Sequence, residues 1–142
     1  MPEIPEDPGR RGAVAIVLRG ERFLVTRRSR QVVAPGAFCF PGGGIEGAES
    51  DEEALVREIR EELGVTVRPL RRVWQSVTPW KVRLSWWLSR LDPDVALQPN
   101  PDEVESVQWL AADEMLQLDG LLESNRDFLR AMAAGEIRLD AR

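Results

Sequence analysis

The 142-residue chain has no histidine and no tyrosine. Without an imidazole, Ser-His-Asp and Cys-His nucleophilic chemistry and histidine-ligated zinc are excluded. Cys39 is the single cysteine, so there is no intramolecular disulfide and no thiolate zinc cluster, and a cytoplasmic setting is the expectation. No apolar run approaches the roughly 18 residues that a membrane span requires. The opening stretch, MPEIPEDPGRRG, is acidic and proline-rich. It lacks the basic and then apolar regions of a signal peptide. Residues 1–10 therefore read as a flexible leader ahead of a single domain over 11–142. A net charge of -5 argues against broad electrostatic capture of nucleic acid.

What remains for hydrolysis is carboxylate, lysine and arginine, with a hard cation held by oxygen ligands. An acidic protein still binds a polyphosphate when a divalent ion bridges the like charges. Hydrophobic residues at 43% and charged residues at 30% are the composition of a globular domain long enough to bury a core without staples.

Along the chain, Gly12 to Leu18 is a short apolar run typical of a buried strand, and Phe23 to Thr26 returns after a tight turn at Arg19 to Arg22. Arg27-Arg28-Ser29-Arg30 follows at the strand's end, either as a solvated edge or as a phosphate clamp. Pro41-Gly42-Gly43-Gly44 reads as a loop whose backbone comes close to metal or phosphate, because proline lacks a donor and glycine is conformationally loose. Ser50 starts a helix with a capping box to Glu53, an apolar face of Leu55, Val56, Ile59 and Leu63, and Gly64 at its end.

After the helix, Val65 to Trp74 reads as a strand interrupted at Pro69, at an edge or a bulge, and Gln75 to Pro79 as a turn. Lys81 to Leu91 is a strand expected to pair with it. Asp92 to Asp102 is a proline-rich loop, Val104 to Leu110 a further strand, and Leu121 to Ala134 an amphipathic helix closed by Gly135. The class is α/β, with a mixed sheet.

One stretch organises the rest. Gly43 is followed by Glu49, then by Arg57-Glu58-Ile59-Arg60-Glu61-Glu62-Leu63-Gly64-Val65. Glu58, Glu61 and Glu62 share one helix face, where like charges at such spacing destabilise a helix by a few tenths of a kcal/mol. Three clustered carboxylates suit Mg²⁺ or Mn²⁺, which favour octahedral oxygen coordination shared with substrate phosphates. A cation there turns the repulsion into affinity and favours hydrolysis of a diphosphate bond.

These residues fill every specified position of G-x5-E-x7-R-E-U-x-E-E-x-G-U, with U apolar. By composition such a match arises on the order of once in 10⁹ windows, so chance is set aside. The chain resembles the Nudix hydrolases. Gly47-Ala48 stand where many members have Pro-Gly, in the variable part of the pattern.

The resemblance implies an α/β/α sandwich with a mixed central sheet and the motif as loop-helix-loop. It implies Glu58 and Glu62 as principal metal ligands, Glu61 as a ligand directly or through water, and Gly42 or Gly43 as a carbonyl donor. Arg57 would orient the glutamates and Glu49 would brace the loop. A further carboxylate, base or ligand, would come from Glu103 at the loop end, with Glu105 as the alternative. Members similar in length and layout, the MutT type, place an asparagine at the site of Asn125 to read a purine edge, while the bland reading of Asn125 is a helix N-cap.

Trp80, in a loop, either stacks on a base or packs at a rim. Adjacent Trp86 and Trp87 face opposite sides of their strand, one toward the core and the other toward a cleft. The expected activity is Mg²⁺-dependent hydrolysis of a nucleoside diphosphate linked to another group, favoured as a MutT-like nucleoside triphosphate pyrophosphohydrolase. An ADP-ribose or nucleotide-sugar diphosphatase and a non-catalytic ligand-sensing domain are the alternatives. The expected partner is a small-molecule nucleotide, with no membrane and no nucleic acid, and the assembly a monomer or homodimer.

Overall fold

A computed structural model describes residues 10–140, so most of the proposed leader lies outside the described residues. Strand β1 (Arg11–Arg19) is the axis of the sheet. It turns through Gly20, which has a left-handed φ of 60°, into β2 (Arg22–Arg28). Only the turn end of this hairpin is paired, Leu18 with Phe23 and Arg19 with Arg22. Beyond it the two strands separate. Strand β2 pairs along nearly its whole length with β7 (Val104–Leu110) and near its far end with β3 (Phe38–Cys39), while β1 pairs with β4 (Gly42–Gly44) and, in parallel, with β6 (Arg83–Arg90). Strand β5 (Arg68–Val77) runs antiparallel to β6 at the sheet's edge.

Helices cover both faces. Along β1 the alternation of side chains sends Val14 and Ile16 one way and Ala13, Ala15 and Val17 the other. The first set meets Phe40, Trp86 and Met115 of α2 (Ala112–Leu116), with Phe128 and Leu129 of α3 (Glu123–Ala133). Trp86 stacks on Phe128 with ring centroids 5.0 Å apart. The second set, mostly alanine, lets α1 (Asp51–Leu63) approach closely and bury Leu55, Ile59 and Leu63. Each of those three side chains stabilises the fold by about 1.5–3 kcal/mol through removal from water. The result is the expected α/β/α sandwich. No helix among the described residues is long and apolar enough to cross a membrane.

Local signals explain the ends of α1. Ser50 accepts from the Glu53 amide, Glu53 accepts from the Ser50 amide, and Gly64 closes the helix at φ 67°. The interruption at Pro69 is a register shift on an edge strand, where a missing donor costs no ladder bond.

Three expectations are corrected. The glycine run is not a loop: Gly42, Gly43 and Gly44 pair with Val14, Ala13 and Gly12 as a short strand. Glycine is needed because the strand lies so close that a Cβ on Gly42 would collide with the Ala13 carbonyl oxygen and reach Val14 Cα at 2.9 Å. The region from Gln75 is not a turn, since β5 continues to Val77 against Arg83 and the reversal falls at Thr78 to Val82. Asn125 is not the N-cap of the last helix; Leu122 is, and Asn125 lies within the first turn.

Candidate active site

Because β1 and β2 splay apart, a cavity of about 510 Å³ opens beside β4, lined in part by Gly12, Arg28, Phe40, Gly43, Ser124 and Asn125. Gly43 separates it from α1. A Cβ on Gly43 would fall inside contact distance of the Glu58 carboxylate, so only glycine lets that carboxylate lie against β4.

Glu58, Glu61 and Glu103 bring carboxylate oxygens within 4.8 Å of one another. Two come from adjacent turns of α1 and the third from the loop entering β7. That loop is fastened to the helix. The Gln98 and Asn100 amides donate to the Leu63 and Glu62 carbonyls. The Asn100 side-chain amide donates to the Glu61 carbonyl and to Glu103 Oε2, each at 3.3 Å. Ser29 holds the other side, its hydroxyl donating to the Asp102 carbonyl at 2.8 Å. Glu103, the residue preferred from sequence, enters the cluster. Glu105 instead pairs with Arg27 at 3.3 Å.

Glu62 lies just behind, 9% exposed, accepting from the Gly42 amide at 3.4 Å. Burial, with Glu58 nearby, raises its pKa well above the ordinary carboxylate value despite that bond. Glu58 is raised too, again chiefly by burial, against the lowering effect of Arg57. Arg57 is the brace. Its Nε donates to Glu49 Oε2 at 2.7 Å, its Nη1 to Glu58 at 3.1 Å and Glu61 at 3.4 Å, and its Nη2 to the Gly44 carbonyl at 2.9 Å. Glu49 also accepts from the Glu46 amide. Chiefly through Arg57, its pKa falls to about 2. The guanidinium is reciprocally held charged.

The residues expected to meet substrate divide. Arg28 and Asn125 line the cavity. Asn125 is buried, and its Oδ1 accepts from the Phe40 amide at 2.8 Å. Its Nδ2 donates to the Ser124 hydroxyl, which leaves the amide a donor with one hydrogen free. Arg27 and Trp80 do not line the cavity. Arg27 lies over the Phe38 ring and donates to the Gly36 carbonyl, and Trp80 is exposed in the β5–β6 turn. Of the tryptophan pair, Trp86 is core, and Trp87 packs beside α1 with its Nε1 donating to Asp51 and Ser85.

Asn100 and Ser29 were not singled out in the sequence. An asparagine before proline in QPNPDE does signal a turn, and the Asp102 amide donates to Asn100 Oδ1. The contacts to α1 had no local signal.

The donor set fits a hard dication: clustered carboxylate oxygens, two of them partly or wholly desolvated and mutually repelling, with no sulfur or imidazole. The sheet and α1 thus hold this cluster across Gly43 from the cavity. The chain belongs to the Nudix hydrolase family: the NUDIX domain model matches residues 9–132. Divalent metals are the general cofactor of that family.

Among relatives, it is 32% identical over 102 residues to the NAD-capped RNA hydrolase NudC of Pseudomonas aeruginosa, covering 72% of this chain and 36% of that one. It is 29% identical over 172 residues to the m7GpppN-mRNA hydrolase NUDT17 of Homo sapiens, covering 99% and 52%. The chain thus spans about a third to a half of the curated relatives it matches. Of solved structures, the MutT Nudix hydrolase from Burkholderia pseudomallei is similar at 26% identity and TM-score 0.69, covering 85% of this chain and 95% of that one. The E. coli ORF135 protein is similar at 30% and 0.69, covering 88% and 89%.

Proposed function

We propose that this protein hydrolyses the diphosphate bond of a nucleoside diphosphate linked to another group, as one domain over residues 11–142. The observation that carries this is the convergence of Glu58, Glu61 and Glu103 across Gly43 from a cavity of nucleotide size. Glu58, Glu61, Glu62 and Glu103, with the Gly43 carbonyl, would hold Mg²⁺ or Mn²⁺. When bound, such a cation neutralises charge on the phosphate oxygens and makes water a better nucleophile.

The chain's own part is positioning. Arg57 fixes the Glu58 and Glu61 carboxylates from one side, and Asn100 fixes Glu103 from the other. Glu103 is the carboxylate placed to accept the attacking water's proton, because it alone among the clustered three is free of a guanidinium. Arg28 supplies positive charge at the cavity wall, and the free Asn125 hydrogen supplies a donor for a base acceptor. Retention of every glutamate in the motif speaks against a purely ligand-sensing domain.

A MutT-like nucleoside triphosphate pyrophosphohydrolase remains the favoured subclass, supported by the layout of Asn125. The second reading is cleavage of a dinucleotide or cap-type diphosphate, favoured by relatives named for NAD-capped RNA and m7GpppN-mRNA. Those names also weaken the argument from net charge against a nucleic-acid substrate. The test is turnover with Mg²⁺ on dNTPs, oxidised guanine nucleotides, ADP-ribose, dinucleoside polyphosphates, NAD and capped RNA. Metal-dependent release of a nucleoside monophosphate, abolished by Glu58→Gln, is expected. No turnover on any of them would sink the reading.

A further inference from the structure

A second cavity, of about 480 Å³, adjoins the first and shares Arg11, Gly12, Ile45 and Leu84 with it. It lies over β6 and β5 beside the start of α1 and is lined by Arg11, Arg72 and Arg83, with Gln75, Ser85 and Asp51 among its other walls. Register explains why the arginines converge. Arg11 is the cross-strand partner of Arg83, which is partnered by Val77, while Gln75 lies opposite Ser85 and Arg72 opposite Trp87. Partners in a ladder share a face, so all three guanidiniums rise from the face that carries Trp87 and α1.

Like charges directly opposite in a sheet are unfavourable. Among the described residues no carboxylate forms an ion pair with Arg11, Arg72 or Arg83, and the one carboxylate in the lining, Asp51, already accepts from Trp87 Nε1. Among the described residues, the one hydrogen bond from these three side chains runs from Arg11 Nη2 to the Gly47 carbonyl at 3.2 Å. In a chain of net charge -5, three unpaired guanidiniums over serine and glutamine side chains form a site complementary to a phosphate group.

We propose that this second lobe is a phosphate-binding subsite. It receives a phosphate carried by the substrate on the far side of the scissile diphosphate, such as a phosphomonoester or the phosphodiester of an attached nucleotide. The assignment of that phosphate to the substrate rests on the hydrolase reading above; the binding of phosphate does not. Arg11, common to both cavities, is the hinge between the lobe that takes the nucleoside and the lobe that takes the second anion.

Trp87 is a built-in reporter, because its indole N–H bonds to Asp51 and Ser85, both in the lining. The experiment is titration of the chelator-treated 142-residue protein with inorganic phosphate and then tripolyphosphate. The Trp87 indole resonance, assigned through Trp87→Phe, is followed by ¹H–¹⁵N NMR. Saturable movement of that resonance is expected. The affinity should fall about tenfold or more in Arg72→Gln/Arg83→Gln, a loss of one charge-assisted contact or better. It should return in part in Arg72→Lys/Arg83→Lys and persist in Glu58→Gln. No movement, or equal affinity in the glutamine variant, overturns the subsite.

A hydrolysis arm separates the two ideas. Paired diphosphate substrates with and without a terminal phosphate should differ in KM for the wild type and converge in the glutamine variant. If both are cleaved alike by the wild type, the site binds free phosphate and its proposed link to the substrate is wrong, while the hydrolase reading stands.

Discussion

The two charged ends of the cleft are built on opposite plans. At the acidic end, five carboxylates, Glu46, Glu49, Glu58, Glu61 and Glu103, surround one guanidinium or one amide that touches them, and every one of those bonds is made by the chain. At the basic end, three guanidiniums meet no carboxylate partner among the described residues. The difference teaches what each end is for. An ion held by several ligands needs those ligands fixed in advance, since misplacement of catalytic groups is costly. A phosphate met by long arginines tolerates looser geometry, so the charge can be left to the ligand. Each substitution below breaks or sharpens that contrast.

The largest effect is expected at Glu62, the carboxylate that the brace does not reach. Glu62→Gln keeps the acceptor for the Gly42 amide and removes the charge. Turnover should fall on the order of a thousandfold, in the range of lost acid–base or ligand groups. Stability should move the other way when no metal is present. The Glu62 pKa is raised in the folded state, so the folded protein favours its protonated form. The stability that protonation contributes is full below about pH 4.5, the ordinary value, and is lost as pH rises through the folded pKa. In chelator at neutral pH, thermal unfolding of Glu62→Gln should therefore occur above that of the wild type, and the gap should close toward pH 4.5. A variant less stable at neutral pH would show that Glu62 is not an uncompensated charge.

Arg57→Lys asks whether the brace works by charge or by shape. Lysine keeps the charge but lacks the fork that reaches Glu49, Glu58 and the Gly44 carbonyl together. Metal affinity should weaken about 10–100-fold, as when groups that orient ligands are lost, with a smaller change in melting temperature. Direct Mn²⁺ titration would check it. An unchanged affinity would mean that positive charge alone organises the acidic end.

The acidic end was readable and the cavity was not, for a physical reason. Glu49, Arg57, Glu58, Glu61 and Glu62 lie on one capped helix and its entry, where spacing fixes which side chains meet. The choice of Glu103 over Glu105 depended on contacts from Asn100 and Ser29 across 39 and 73 residues. The glycine run was correctly tied to a close approach, but the approach is to β1 and Glu58 and makes a strand. Trp80 and Arg27 bore the right chemistry for substrate, yet neither lines the cavity. The arginine row needed the parallel pairing of β1 with β6, which brings Arg11 beside Arg83. No local pattern encodes that pairing.

Asn125 tests whether the cavity wall depends on the same kind of internal bonding as the acidic end. Asn125→Ala leaves the buried Phe40 amide without its acceptor, which should cost about 1–3 kcal/mol in denaturant unfolding. Asn125→Asp restores the acceptor and removes the free hydrogen. If the donor reads a base, the aspartate variant should recover stability while KM for its preferred nucleotide stays raised. Recovery of both would confine Asn125 to holding Phe40.

The smallest expected effect lies at Glu49, on the loop side of the brace and outside the carboxylate cluster. Its pKa is depressed from 4.5 to about 2 by Arg57 and the Glu46 amide. The sign is therefore opposite to that at Glu62. The stability it contributes is present above pH 4.5 and is lost as pH falls through about 2. Glu49→Gln should melt a few degrees below the wild type at neutral pH, by an amount that stays level down to about pH 4.5 and shrinks below it, as followed by circular dichroism. Added salt should narrow the gap in part, because a half-buried ion pair is still screened. Glutamine keeps an acceptor for the Glu46 amide, so a gap that persisted unchanged toward pH 2 would assign the loss to the two-point fit of Arg57 on the Glu49 oxygens and not to the charge of the pair.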